Sequence, residues 1–133
     1  MYKVLLVEDD PLMSRMYLRV WTFEKLDVQV AGNGQIALET LKTFRPDIML
    51  IDVMMPIMNG VETLTRLKAD PVTRDIPVIM LTNLADVRTA EEAVAKGALQ
   101  YIVKSKYEPD RIAELIKETL DKANNKEASE TAQ

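Results

Sequence analysis

Ile48-Met49-Leu50-Ile51-Asp52 sets four consecutive apolar residues directly before an acid. A run this short has the length of a strand, and a strand that is apolar throughout, not alternating, is one buried on both faces. Outward from it the same kind of run recurs at Val4-Leu5-Leu6-Val7, Val28-Gln29-Val30, Val78-Ile79-Met80-Leu81 and Tyr101-Ile102-Val103, several of them β-branched. Between these runs lie segments with helical spacing: Leu12, Met16, Val20 and Phe23; Ala37, Leu41 and Phe44; Val61, Leu64 and Leu67; Ala90, Ala93 and Val94; Ile112, Leu115, Ile116 and Leu120. The pattern predicts an α/β fold, (βα)5, with helices covering a five-stranded parallel sheet on both faces. Right-handed crossovers make the doubly wound order 2-1-3-4-5 the leading topology, with a switch point between strands one and three.

Punctuation agrees with that pattern. Asp10-Pro11 and Glu108-Pro109 put Pro at or near a first helical turn, while Pro46 and Pro77 precede strands three and four. Asn33-Gly34 is followed by a helical segment and reads as a β-to-α turn, not a hairpin. Gly97 falls where the fourth helix should stop. From Asn124 the apolar period is lost, so residues 1–123 are expected to form the domain and 124–133 a flexible tail.

The sequence has 133 residues, no Cys, no His and a net charge of −4, a size that suits one domain with a single core. Without Cys or His there are no zinc-finger ligands, no thiol nucleophile and no Ser-His-Asp triad. An acidic chain without clustered Lys and Arg points away from nucleic acid. No apolar run approaches a membrane span and no signal-like segment opens the chain, so the expected compartment is the cytoplasm.

In a doubly wound sheet, ligands bind at the carboxyl ends of the strands. Those ends read Glu8-Asp9-Asp10, Asp52, Thr82 and Lys104, all polar or ionisable. Asp10 reads as a helix cap. Glu8, Asp9 and Asp52 brought together would repel one another unless a cation joins them. Hard oxygen ligands with open positions suit Mg²⁺, with Mn²⁺ as a substitute. Three carboxylates, Lys104 and one divalent ion then sum to a formal charge of zero. Asp52 becomes a candidate nucleophile for an aspartyl phosphate, and Thr82 a candidate donor to its oxygens.

The stretches Val4 to Asp10, Asp52-Val53-Met54-Met55-Pro56-Ile57-Met58-Asn59-Gly60, Pro77 to Thr82, and Gly97-Ala98 through Lys104 together resemble the receiver domain of response regulators, the family of single-domain chemotaxis regulators, over about residues 2–122. The resemblance implies two-component signal transduction, in which Asp52 accepts a phosphoryl group from a sensor histidine kinase or phosphotransfer protein. It implies that Glu8, Asp9, Asp52 and the Met54 backbone carbonyl hold Mg²⁺, and that Thr82 and Lys104 contact the phosphoryl group. Tyr101 matches the family's switch position, an aromatic residue that turns inward with Thr82 and remodels the face of helix four, strand five and helix five. Such a domain is a switch, not an enzyme with a foreign substrate. Its expected partners are the phosphodonor and a downstream protein, with no nucleic acid and no membrane, and its expected state is a monomer or a weak phosphorylation-dependent dimer.

The chain departs from the family pattern in three places. Ser105 follows Lys104 where the family commonly has Pro after a cis bond; without Pro the expectation is a trans bond and an altered loop. Asn83 is larger than the small residue usual there and would narrow donor access. Met54 and Leu84 set apolar side chains where the family lets hydrolytic water approach, which predicts slow self-dephosphorylation. Three other readings compete with this one. A receiver-like interaction module insensitive to phosphate is opposed by the complete acids, Thr82 and Lys104, and kept open by Asn83 and Ser105. A flavodoxin-like binder would need a phosphate-cradling loop where Glu8-Asp9-Asp10 stands. An aspartyl-phosphate phosphatase would need an acid where Met54 stands.

Overall fold

The computed structural model describes residues 1–131, with side chains to residue 125. Five parallel strands, β1 (Lys3–Val7), β2 (Asp27–Ala31), β3 (Ile48–Asp52), β4 (Val78–Thr82) and β5 (Gln100–Val103), form one sheet in the order β2-β1-β3-β4-β5. Helices α1 (Pro11–Phe23), α2 (Gly34–Thr40), α3 (Gly60–Ala69), α4 (Val87–Ala95) and α5 (Pro109–Thr131) alternate with them. Short 3₁₀ turns follow β4 at Leu84–Asp86 and β5 at Lys104–Lys106. The (βα)5 architecture and strand order expected from the sequence are those found.

Strand alternation divides the core in two. Leu5, Val7, Met49, Ile51, Val78 and Met80 face Ala37, Leu64, Leu67, Ala90 and Ala93 of α2, α3 and α4. Val4, Leu6, Ile48, Leu50, Ile79, Leu81 and Ile102 face Tyr17, Trp21, Ile112, Ala113, Ile116 and Leu120 of α1 and α5. β1, β3 and β4 are buried on both sides, as their continuous apolar runs require, whereas β2 is an edge strand with Val30 exposed.

Helix starts follow the expected chemistry. The Asp10 carboxylate accepts the amide of Leu12 at 2.9 Å, and Pro11 occupies the first turn, where its missing N–H costs nothing. Asn33 and Asn59 cap α2 and α3 through Ile36 and Glu62. Gly97, at φ +123, ends α4, with its amide on Val94 and the next amide on Ala93.

One expectation is corrected. The Leu12, Met16, Val20 and Phe23 series is not the core face of α1: Leu12 and Phe23 are 76% and 82% exposed, and Ser14, Tyr17 and Trp21 are buried instead. The helix carries two apolar stripes, and the one with two large rings buries more area. Ser14 tolerates burial because its hydroxyl donates to the Pro11 carbonyl. α5 runs to Thr131, across residue 124, where the domain was expected to give way to a flexible tail. Ala132 and Gln133, the end of the expected tail, lie outside the described residues.

Candidate functional site

The sheet register gathers the polar strand ends. Val7 pairs with Ile51, which sets Glu8 level with Asp52; Asp52 pairs with Leu81 and Thr82 with Val103, so each strand towards β5 delivers its polar residue one position further along. Carboxylate oxygens of Glu8, Asp9 and Asp52 lie within 4.8 Å of one another. Lys104, the first residue after β5, reaches back over the sheet edge and its ammonium donates to Glu8 Oε1 at 2.8 Å and Asp52 Oδ2 at 3.1 Å. The other Asp52 oxygen accepts the Met54 amide at 3.4 Å.

Burial makes this arrangement electrostatically tense. Glu8 is 2% exposed, and its Oε2 has no hydrogen-bond partner among the described residues. Burial, and then its contact with Asp52, push the Glu8 carboxyl up to about 8, with Lys104 pulling the other way. Burial alone would lower the Lys104 ammonium, but Glu8 and Asp52 together hold it above its ordinary value. One ammonium cannot satisfy two buried carboxylates, so the proton that Glu8 retains makes up the deficit.

This gives stability a pH slope. From about 4.5 to about 8 the folded protein holds a proton on Glu8 that the unfolded chain has released. That contribution is complete below about 4.5 and is lost as pH rises through about 8. Urea melts in EDTA should show falling stability between pH 6 and pH 9, and Glu8→Gln should flatten the slope; equal slopes in both proteins would contradict the assignment.

The other sequence-selected residues lie on β4, on β5 and in the loops after β3, β4 and β5. Thr82 is fully buried, and its hydroxyl donates to the Asn83 carbonyl at 2.8 Å, not to a carboxylate. Asn83 is exposed, and Met54 and Leu84 stand beside the site at the ends of adjacent strands, each more than half exposed. Tyr101 is half-buried against the core on the α4 side of the sheet. Ser105 is exposed, and no cis peptide occurs among the described residues, so the Lys104–Ser105 bond is trans as expected. In the β3–α3 loop, Ile57 turns the chain at φ +71 while the Met58 amide donates to the Pro56 carbonyl.

Sequence reading passed over Tyr17 and Trp21, and took Gly60 only as the end of the family-like stretch after Asp52. Tyr17 lies beneath the site, near enough for the charges of Lys104, Glu8 and Asp52 to act on its hydroxyl, though burial is the larger influence and raises its pKa. A Cβ on Gly60 would meet the Asp52 carbonyl oxygen at 2.4 Å. The Asn59-Gly60 pair ahead of a helical period was the available signal for Gly60, and the two aromatic residues one helical turn apart were the signal for the rings.

The sequence model of the response regulator receiver domain matches residues 4–117. The chain belongs to that family. The receiver domain is 32% identical over 118 residues to the DNA-binding response regulator MtrA of Mycolicibacterium smegmatis, a match covering 89% of this chain and 50% of that protein. The chain thus spans about half the length of that relative. Among solved structures it resembles the signal receiver domain of a histidine kinase from Syntrophus aciditrophicus, with a TM-score of 0.81, 31% identity and 91% of both chains covered. It also resembles chemotaxis response regulator CheY4 of Vibrio cholerae, with a TM-score of 0.79, 27% identity, and 89% of this chain and 98% of that one covered. No helix of this receiver domain, among the described residues, is long and apolar enough to cross a membrane.

Proposed function

We propose that this receiver domain accepts a phosphoryl group on Asp52 from a histidine kinase or phosphotransfer protein, and that the product switches a protein-binding face. The observation that carries the reading is the paired Glu8 and Asp52 carboxylates under Lys104, with Asp9 beside them and Glu8 Oε2 unpartnered. Hard oxygen donors and an orphaned buried carboxylate oxygen fit Mg²⁺, which Glu8, Asp9, Asp52 and the Met54 carbonyl would hold; when bound, it supplies positive charge to the oxygens of the transferring group. An Asp52 oxygen attacks phosphorus, the bond to the donor's imidazole nitrogen breaks, and that nitrogen keeps the electron pair and takes a proton. Lys104, already bonded to Asp52, is placed to neutralise charge on the new phosphoryl oxygens.

Thr82 supports the switch reading because, among the described residues, its hydroxyl is held only by its neighbour's carbonyl and can exchange that bond for a phosphoryl oxygen. Tyr101 lines a 310 Å³ recess with Glu91, Val94 and Leu99, so a ring movement there alters a surface shared by α4 and β5. A two-state rearrangement of packing is the better messenger, since phosphorylation changes the local charge by only about one unit.

The test is intact mass after incubation with acetyl phosphate, with and without Mg²⁺, on wild type and Asp52→Ala. A Mg²⁺-dependent gain of one phosphoryl group that vanishes in the variant is expected. Folded wild type that binds Mg²⁺ and gains nothing from either acetyl phosphate or phosphoramidate would overturn the reading in favour of a phosphate-independent module.

Met54 and Leu84, each two residues past the end of β3 or β4, are exposed and present no polar group that could orient water for attack at Asp52. Joint replacement by Asn and Glu should speed loss of the phosphoryl group several-fold, measured by decay of the phosphorylated mass after donor removal. An unchanged decay rate would show that water reaches Asp52 by another route.

A further inference from the structure

We infer that Trp21 is a positioning residue for Lys104: its indole N–H, donated to the Pro109 carbonyl at 2.9 Å, anchors the far end of the loop that carries the site's ammonium. The inference rests on the proposed role of Lys104 at the phosphorylation site.

Lys104 works only while its backbone is held where the side chain can span to Glu8 and Asp52 together. That backbone begins the segment joining β5 to α5, whose residues Ser105, Lys106, Tyr107 and Glu108 are exposed. None of those four side chains makes a hydrogen bond among the described residues. Ser105 also lacks the ring that would restrict this loop, because a non-Pro residue keeps a free φ angle. The segment is therefore fixed chiefly at its two ends. One end is β5, paired with β4 through Thr82 and Val103. At the other end the first residue of α5, Pro109, is tied to α1 by the indole.

The anchor itself is rigid. Trp21 is fully buried, and its ring lies 4.8 Å from that of Tyr17 with 30° between the planes. Tyr17 is also buried, and both rings pack in the core against Ile112, Ala113 and Ile116 of α5. A donor fixed so firmly holds its acceptor closely, so the bond transmits the position of α1 to the start of α5 and thence to the loop.

The consequence has an unusual sign. Lys104 and a metal ion would draw on the same two carboxylates, Glu8 and Asp52, and their positive charges would repel each other there. Loosening the Lys104 loop should slow phosphoryl acceptance and at the same time tighten Mg²⁺ binding, whereas general loss of structure would weaken both.

The experiment compares wild type with Trp21→Phe, and with a chain carrying β-(3-benzothienyl)alanine at position 21, an isostere with sulfur in place of the N–H. Three quantities are read: amide exchange of Ser105 to Glu108 in the absence of metal, the dissociation constant for Mg²⁺, and the initial rate with acetyl phosphate. Loss of one neutral hydrogen bond should speed loop exchange about tenfold, tighten Mg²⁺ about threefold and slow phosphorylation about threefold. Exchange in β1 and β3 should stay at the wild-type rate. Unchanged loop exchange with unchanged Mg²⁺ affinity in the isostere would overturn the inference, as would weaker Mg²⁺ binding. Wild type that takes up no phosphoryl group would overturn the proposed function instead, and exchange and affinity would still decide whether Trp21 holds the loop.

Discussion

Lys104→Met should slow phosphoryl acceptance by Asp52 about 10²- to 10³-fold, the range expected when one preorganised donor is taken from developing negative charge. The substitution keeps the length of the aliphatic stem while removing the ammonium that lies 2.8 Å from Glu8 and 3.1 Å from Asp52. In the metal-free protein two buried carboxylates are then left without a cation. Breaking a buried pair costs about 3–5 kcal/mol, and the loss here should fall near the lower limit because Glu8 already titrates at about 8 and can neutralise itself by keeping its proton. Mg²⁺ binding should become tighter, since the ion no longer shares the Glu8 and Asp52 carboxylates with an ammonium that repels it. The checks are the initial rate with acetyl phosphate, a calorimetric Mg²⁺ titration, and urea melts with and without Mg²⁺, the last showing most of the lost stability restored by the ion. Weaker Mg²⁺ binding in the variant would mean that Lys104 organises the carboxylates for the ion instead of competing with it.

The contrast between what sequence made legible and what it left hidden follows from the range of the interactions involved. Strand and helix order were readable because burial on two faces forces continuous apolar runs, as at Ile48–Ile51, and because caps such as Asp10 and Asn33 act within three residues. Glu8, Asp9, Asp52 and Lys104 were readable as one group because strand order alone brings the carboxyl ends of β1, β3 and β5 to one edge. The phase of α1 was not readable. Leu12, Met16, Val20 and Phe23 and the ring-bearing Tyr17 and Trp21 both satisfy helical spacing, and only contact with α5 decides which stripe turns inward. The Trp21–Pro109 bond joins residues 88 apart and has no local signature. The tension at Glu8 was equally hidden, because it depends on the depth of one oxygen atom and not on residue type.

Gly60→Ala should lower stability by about 3 kcal/mol, the upper end of the range for overpacking. Gly60 opens α3 directly after its Asn59 cap, and its amide donates to the Val53 carbonyl at 2.9 Å, so helix and strand end are tied together at this point. A Cβ built there meets the Asp52 carbonyl oxygen at 2.4 Å and the Val53 Cα at 2.9 Å, both backbone atoms that no side-chain rotation can move. Its third neighbour, the Met80 terminal methyl at 2.9 Å, could swing away, but the backbone contacts decide the outcome. Relief requires either the start of α3 to lift or the end of β3 to shift, and the second displaces the Asp52 carboxylate from Lys104. For a domain of this size the melting temperature should fall by about 10 °C. Phosphoryl acceptance measured well below that temperature should fall with it, because the strand end that moves is the one bearing Asp52. Gly32→Ala is the matched control, since no atom lies within 4 Å of a Cβ at that position, and it should melt with wild type. A Gly60→Ala protein that melts with wild type and phosphorylates normally would show that α3 can lift without dragging the strand, and that the close approach at Gly60 does not position Asp52.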